Sequence, residues 1–215
     1  MKPAIITFLA LTILTSCASP QNSNLRFHTG NETKPTANEK VATFAEGCFW
    51  HTEIVFQSLV GVRDAVSGYS GGTVSNPDYE KVSTGSTGHA ESVNVYYDPS
   101  KISYETLVKA FFASMDPTQV NGQGNDEGPQ YRSIAFYRDE NEKKIIETEI
   151  KRLTDAKKYK SKIATEVKPF TKFYSAESYH QEYIINHPEN TYVQRVSIPD
   201  FIDFKKEFPS QYFKP

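Results

Sequence analysis

The sequence predicts an α+β fold, and three patterns lead to this class. Segments with strand character are intermixed with segments of helical periodicity, several strands look antiparallel, and two long loops are rich in Gly, Asn and Asp. The chain has 215 residues, of which 38% are hydrophobic, so it can form one domain with a real core. We therefore expect a two-layer sandwich, a ferredoxin-like α/β roll around a mostly antiparallel mixed sheet.

Strand-like segments are recognised by alternating or β-branched side chains between turn residues. The clearest alternation places Val93, Val95 and Tyr97 on one face of a strand. The first strand ends at Gly47, where the chain can turn. The predicted strands are 41–45, 63–69, 91–97, 133–137 and 163–169.

Helical segments show apolar residues every three to four positions. Ser103 can cap one of them, and Asp116-Pro117 ends it. A C-terminal helix would turn Ile198, Phe201, Phe204 and Phe208 inward. The predicted helices are 49–59, 103–115, 139–156, 176–186 and 197–208. The loops 70–89 and 119–130 are longer than a compact domain usually contains, which favours a functional role for them.

The N-terminal residues resemble an export signal. Lys2 precedes the apolar run 4–14, which is too short to cross a bilayer and suits a signal peptide. The run leads into Leu14-Thr15-Ser16-Cys17, similar to the lipobox of bacterial lipoproteins. We expect residues 1–16 to be a lipoprotein signal peptide and residues 17–40 to be an acylated Cys17 with a flexible tether. Residues 41–215 would then form a single domain, anchored to the membrane of a bacterial cell envelope on its periplasmic or extracytoplasmic face.

Cys48 is the first candidate for chemistry. The chain has two cysteines, and lipid attachment would use Cys17, so Cys48 would be a lone thiol in an exported protein. It lies between a predicted strand and a predicted helix, where backbone N–H groups and the helix dipole would lower its pKa. The alternative is a small buried hydrophobic residue with no role in catalysis.

Polar residues near turns supply further candidates. Glu91 enters a strand among apolar groups, which would raise its pKa and make it a proton donor near neutrality. Tyr79 and Tyr131 are loop tyrosines whose hydroxyls could donate to a polar oxygen. The alternatives are a surface ion pair for Glu91 and rim positions for the tyrosines. Asp126 could belong to a simple turn.

Other classes of function are weaker. The segment 68–72 satisfies the G-x-S-x-G pattern of serine hydrolases, but a turn rather than a helix follows Ser70. A cysteine hydrolase would pair Cys48 with His51, His89 or His180, and a lipoprotein binding module would need no thiol at all. The five histidines show no zinc-type spacing, so we expect no metal, and His180 is more simply structural. The net charge of −2 argues against nucleic acid.

Five motifs in order resemble the A-type peptide methionine sulfoxide reductases, which act on the S epimer. The resemblance covers about residues 41–188, and one motif alone would be weak evidence. The motifs are Gly47-Cys48-Phe49-Trp50-x-x-Glu53, Gly68-Tyr69-Ser70-Gly71-Gly72, Gly85-x-x-Gly88-His89-Ala90-Glu91, Gly124-Asn125-Asp126-x-Gly128-x-Gln130-Tyr131-Arg132-Ser133, and Phe173-Tyr174 followed by His180-Gln181-x-Tyr183.

The resemblance implies a reaction in which the Cys48 sulfur attacks the sulfur of a methionine sulfoxide. Glu91 matches the family's acid, and Tyr79 and Tyr131 match the hydroxyls that bind the sulfoxide oxygen. Phe49 and Trp50 match the aromatic pair around the substrate methyl group. Asp126 matches a residue near this network, with a less defined role. Methionine leaves, and Cys48 remains as a sulfenic acid.

The sequence departs from many relatives after this step. They carry C-terminal cysteines that capture the sulfenic acid as a disulfide, whereas residues 190–215 contain none. We expect no bound cofactor and an external thiol reductant, either a thioredoxin-like or glutaredoxin-like protein or a small thiol. The expected protein is a monomer that repairs oxidised methionine in envelope proteins and possesses no nucleic-acid partner.

Overall fold

A computed structural model describes residues 34–215 of the chain. The helices are α1 (Phe49–Gln57), α2 (Tyr79–Ser83), α3 (Tyr104–Ala113), α4 (Glu140–Asp155), α5 (Tyr183–Asn186) and α6 (Ile198–Glu207). The strands are β1 (Lys40–Glu46), β2 (Val62–Ser70), β3 (Ala90–Tyr97), β4 (Gly122–Gln123), β5 (Asp126–Glu127), β6 (Ser133–Tyr137), β7 (Glu166–Pro169) and β8 (Phe173–Ser175).

Six of these strands form one sheet in the order β7-β6-β1-β3-β2-β8. All of its pairs are antiparallel except β6 with β7, which is parallel. The helices pack on this sheet, so the predicted α+β class with a mostly antiparallel mixed sheet is confirmed. The strands β4 and β5 form a separate hairpin within the second long loop.

The main core lies between the sheet and the helices. Phe44 of β1 stacks on Phe56 of α1 and on Phe111 of α3, with ring centroids 5.1 Å apart in both pairs. Val93 and Val95 belong to the same core, as the alternation in β3 predicts. A smaller cluster with Ala45 lies apart from it, because neighbouring residues of β1 point to opposite faces of the sheet.

Two of the helix starts follow from their capping residues. The Ser103 hydroxyl accepts a hydrogen bond from the Thr106 backbone N–H at 3.1 Å. The Asp139 carboxylate accepts one from the Glu142 backbone N–H at 2.8 Å. These bonds satisfy N–H groups that have no partner inside the helix, so the predicted N-termini of α3 and α4 are confirmed.

The prediction of one helix over 176–186 is wrong. Residues Ser178–His180 form a single 3₁₀ turn, Gln181 is extended, and Glu182 is left-handed with φ 53° before α5 begins. The Gln181 side chain bonds both backbone groups of Ser67 in β2, each at 3.0 Å. These tertiary hydrogen bonds hold the segment against the sheet and override its helical periodicity. The segment 163–169 is also a shorter strand than predicted, and the sequence pattern did not reveal β8.

The predicted C-terminal helix is present and packs on the domain. Phe204 and Phe208 are buried, and the helix contacts α1. Among residues 34–215, no helix combines the length and the apolar content needed to cross a bilayer. The predicted signal peptide, Cys17 and most of the tether lie outside the described residues and stay predictions.

Candidate active site

Cys48 occupies the junction between β1 and α1. It is half-buried and is the N-cap residue of α1. Gly47 makes the preceding turn with φ +100°, and a Cβ at this position would lie 2.6 Å from the Gln123 Cβ. Only glycine therefore combines this backbone conformation with the close approach of the β4–β5 hairpin.

The prediction of a lowered pKa for Cys48 is wrong. Burial raises the pKa of the thiol well above its usual value, and the charges of Glu91 and Asp126 raise it further. The backbone N–H groups of Trp50 and His51 act in the expected direction, but they are outweighed. Cys48 is therefore a neutral thiol at pH 7 in the free protein.

Glu91 lies in β3 beside this thiol and is also neutral. Its side chain is 2% exposed, and one carboxyl oxygen accepts a hydrogen bond from the Phe49 backbone N–H at 3.0 Å. Burial raises the pKa of Glu91 to about 8, since the loss of water outweighs this hydrogen bond. The strand and the helix thus place a protonated carboxylic acid next to the sulfur.

Three tyrosine side chains lie close to Cys48. The Tyr79 and Tyr131 side chains interact with each other and with the charges of Glu91 and Cys48, and burial raises the pKa of both. Tyr192, which the sequence analysis did not select, donates its hydroxyl to the Asp126 carboxylate and also reaches the Cys48 sulfur. Both tyrosines predicted from the sequence therefore lie at the thiol, and a third joins them.

Aromatic rings cluster around Phe49 and Trp50, the two residues that follow Cys48. The Trp50 ring stacks on Tyr183, with centroids 3.7 Å apart and planes 6° apart. The Trp50 indole N–H donates to Nδ1 of His180 at 3.1 Å. Phe49 also packs against His180, with ring centroids 4.9 Å apart. Burial lowers the pKa of His180 to about 4, so the ring is neutral and can accept this bond.

Two side chains hold the loops of the site in place. Glu177 accepts hydrogen bonds from the Tyr69 hydroxyl at 2.8 Å and from the Tyr79 backbone N–H at 2.9 Å. Arg132 donates to the Gly88 carbonyl at 2.8 Å and so fixes the turn at Tyr131 to the entry of β3. The two long loops are therefore attached to the sheet at the points where their tyrosines reach the thiol.

The chain matches a known protein family over most of its length. The family described as peptide methionine sulfoxide reductase matches residues 40–212. A peptide methionine sulfoxide reductase of Rhodopirellula baltica is 46% identical over 177 residues, covering 82% of this chain and 91% of the relative. The chain belongs to the peptide methionine sulfoxide reductase family.

Solved structures agree with this assignment. Mxr1 of Saccharomyces cerevisiae in its reduced form is 34% identical, with a TM-score of 0.67 over 74% of this chain and 92% of that one. Methionine sulfoxide reductase A of Corynebacterium diphtheriae is 31% identical, with a TM-score of 0.66 over 75% and 81%. The reaction of this reductase is accordingly the reduction of methionine S-sulfoxide in peptides to methionine.

The competing interpretations find no support in the geometry of the reductase. Ser70 is fully buried, and its hydroxyl donates to the Lys172 carbonyl at 2.7 Å, so it is not an exposed serine nucleophile. His89 is held between the Gly72 N–H and the Val74 carbonyl, away from a role as a base for Cys48. In residues 34–215, no three His, Cys, Asp or Glu side chains are grouped to hold a metal ion.

The structure brings seven predicted residues of the reductase into one cluster: Cys48, Phe49, Trp50, Tyr79, Glu91, Asp126 and Tyr131. Glu53 is buried in α1 and accepts a hydrogen bond from the Glu182 backbone N–H at 2.7 Å, which agrees with a structural role. The sequence analysis missed Tyr192 and Glu177. Neither belongs to a motif with a chemical signature, and each reaches the site only through the tertiary fold.

Proposed function

We propose that this reductase acts through a sulfenic acid on Cys48. The Cys48 sulfur attacks the sulfoxide sulfur, the sulfoxide oxygen takes the proton of Glu91, and the thiol proton returns to Glu91. The resulting hydroxyl group then passes from the substrate sulfur to the Cys48 sulfur as the bond between the two sulfurs breaks, so methionine leaves and Cys48 becomes a sulfenic acid. The neutral carboxylic acid beside the thiol carries this proposal, because a sulfoxide oxygen is a poor leaving group until it is protonated.

The surrounding side chains would bind the two ends of the sulfoxide. Tyr79 and Tyr131 hydrogen-bond the oxygen as its negative charge develops, and Phe49 and Trp50 contact the methyl group. One oxygen site and one apolar site at a fixed separation distinguish the epimers of a chiral sulfoxide. Asp126 orients Tyr192 through its hydrogen bond and thereby limits the positions open to the Cys48 sulfur.

A single turnover without reductant tests this chemistry. Equimolar enzyme and S-sulfoxide should release methionine, and mass spectrometry should find one added oxygen on Cys48, trapped by dimedone. The R epimer and the Cys48→Ser variant should give neither product. Methionine release with no modification of Cys48 would contradict the sulfenic acid mechanism.

Regeneration would use an external thiol, since the only other cysteine in the sequence is Cys17. A thioredoxin-like protein, a glutaredoxin-like protein and a small thiol all supply the required two electrons as two thiols. Intact protein after one turnover should show no internal disulfide, and a Cys17→Ser variant should turn over with dithiothreitol at an unchanged rate.

The cellular role that we propose is repair of oxidised proteins in a bacterial envelope. The lipobox-like sequence ending in Cys17 supports this location. Radiolabelled palmitate should be incorporated by the wild-type protein, which should sediment with membranes, whereas Cys17→Ser should remain unlabelled. Comparing kcat/KM for a peptide and for free methionine sulfoxide will establish whether the free amino acid is also reduced.

A further inference from the structure

A second approach to Cys48 leads through a cavity of about 440 Å³. The cavity reaches from Cys48 past His51 of α1 and Asp126 of the β4–β5 hairpin to Ser197 and Asp200 at the start of α6. Glu91, Tyr79 and Tyr131 do not line it. The cavity shares Cys48, Asp126 and Tyr192 with the active site but none of the groups proposed to protonate or bind the sulfoxide oxygen, so it offers a second access to the thiol.

Among residues 34–215, Glu46 and Ser197 are buried polar residues of the cavity wall that each have a side-chain atom without a hydrogen-bond partner. Glu46 is 1% exposed, and while one carboxyl oxygen accepts from the Ser114 hydroxyl at 2.9 Å, the other has no partner. The Ser197 hydroxyl is also 1% exposed and without a partner. Buried polar atoms are rarely left unpaired in proteins. Both groups line the cavity, so a polar ligand there can satisfy them.

The charge of the wall is negative. Burial raises the pKa of Glu46 well above its usual value, which favours the neutral form of this side chain. The remaining wall has five acidic side chains against two basic ones, although burial raises the pKa of two of the acids, Asp126 and Asp200; the acids are Asp116, Asp126, Asp200, Asp203 and Glu207, and the bases are Lys158 and Arg195. Lys158 is paired with Glu207 at 3.5 Å and Asp203 with Lys206 at 2.7 Å, which leaves Asp116, Asp126 and Asp200 against Arg195. A ligand with a positive charge is therefore favoured over an anion of the same size.

We propose that this cavity binds the thiol that reduces the Cys48 sulfenic acid, and that it selects low-molecular-weight thiols bearing a positive charge, such as aminothiols. This inference rests on the sulfenic acid proposed above. The volume lies in the usual range of roughly 300–1,000 Å³ for small-molecule sites. The direction of approach also fits. The sulfoxide proposed to bind beside Glu91 leaves the sulfenic oxygen on that side of the Cys48 sulfur, and displacement at sulfur requires the thiolate to approach from the side opposite the leaving oxygen.

The recycling steps balance as two displacements. The thiolate attacks the Cys48 sulfur, a disulfide bond forms, and the sulfur–oxygen bond breaks, with the oxygen leaving as water after protonation. A second thiol then attacks the mixed disulfide, which releases an oxidised thiol dimer and returns Cys48 as a thiol. Two thiols are oxidised for each methionine sulfoxide reduced.

Stopped-flow reduction of preformed Cys48 sulfenic acid tests the charge selectivity. The thiols are cysteamine, 2-mercaptoethanol and 3-mercaptopropionate, which are of similar size and carry charges of about +1, 0 and −1 near neutral pH, by the ordinary ionisation of amines and carboxyls. Each rate constant is divided by that of the same thiol with a neutral small-molecule disulfide, which removes differences in intrinsic reactivity. We expect cysteamine to exceed 3-mercaptopropionate by about tenfold at low salt, with the ratio falling toward about twofold at high salt.

Substitutions in the cavity locate the effect. Asp200→Asn should reduce the ratio of cation to anion by about threefold. Glu147→Gln, which removes the same charge from the exposed outer side of α4, should leave the ratio unchanged. The methionine released in one turnover without reductant is measured in each variant first. If no methionine is released, the result contradicts the sulfenic acid mechanism and does not test the cavity. Equal normalised rates for the three thiols would overturn the inference, as would a protein dithiol that outcompetes cysteamine in wild type and Asp200→Asn alike.

Discussion

Replacing Glu91 by glutamine tests whether a neutral acid drives the first chemical step. Glutamine has nearly the same shape, and its carbonyl can still accept the hydrogen bond that the Phe49 N–H donates at 3.0 Å. The variant should fold normally but lacks an acidic proton for the sulfoxide oxygen. We expect the rate of methionine formation in a single turnover to fall by about 10²–10⁴-fold, the usual contribution of a general acid.

The pH dependence of the single-turnover rate tests the same assignment of Glu91 as the acid. Because the pKa of Glu91 is about 8, the acid form predominates below pH 8 and is lost above it. The single-turnover rate of the wild type, measured by rapid quench and quantification of methionine, should therefore decline as the pH rises through 8. The Glu91→Gln variant should show no such decline. A wild-type rate that instead increases through pH 8 would mean that the ionised pair reacts, and our assignment of the proton would be wrong.

Stability should change in the opposite direction to activity in the same variant. The pKa of Glu91 is raised from its usual 4.5 to about 8, so the folded protein holds this proton more tightly than the unfolded chain. Its contribution to stability is fully present below pH 4.5 and is lost progressively up to pH 8, for a total of at most about 5 kcal/mol. Urea unfolding at pH 9 should thus find Glu91→Gln more stable than wild type, with a smaller difference at pH 5. Equal stabilities at both pH values would contradict the raised pKa.

Three further predictions concern other parts of the site. Tyr131→Phe should lower kcat for the S-sulfoxide by about 100-fold with little change in KM, since it removes a donor needed mainly in the transition state; an effect confined to KM would contradict this role. Trp50 is the single tryptophan, so its fluorescence should change near pH 4, where His180 gains a proton, and not near pH 6.5; His180→Asn should abolish that transition. Gly47→Ala should lower the free energy of unfolding by about 2 kcal/mol or more, while Gly124→Ala, with positive φ but open space around it, should cost only about 1 kcal/mol; similar losses in urea unfolding would show that crowding at position 47 is unimportant.

The elements that the sequence predicts well are those specified by local patterns. Strand β6 was predicted with its observed bounds, and β3 and α3 within two residues, because alternation and a capping serine act over a few neighbouring positions. The prediction of a helix over 176–186 is wrong because the backbone there is set by hydrogen bonds between the Gln181 side-chain amide and Ser67, which lies 114 residues away in the sequence. Strand β8 has three residues and gains its identity only from pairing with β2.

The site shows the same division between local and tertiary causes. Motifs locate Cys48 and Glu91, since the family resemblance fixes residue types at positions. The motifs do not reveal the pKa of the Cys48 thiol, because this pKa depends on how much water the fold excludes from the sulfur. The helix N-terminus was a correct local argument for a lower pKa, but burial and two carboxylates contributed by β3 and the β4–β5 hairpin outweigh it. Tyr192 likewise reaches Cys48 from the segment before α6, which no motif covers.

A raised thiol pKa suits a reductase in which residues 34–215 contain no cysteine besides Cys48. Peroxides react with thiolate far faster than with thiol, and a sulfenic acid formed without a partner is exposed to irreversible over-oxidation. A Cys48 that stays protonated in the free protein is protected from the oxidants that generate its substrate. In the mechanism proposed above, the thiol becomes reactive when a sulfoxide oxygen accepts the Glu91 proton, because the resulting carboxylate can then take the proton of Cys48. Burial that seems to oppose catalysis thus couples activation of the nucleophile to the presence of the substrate.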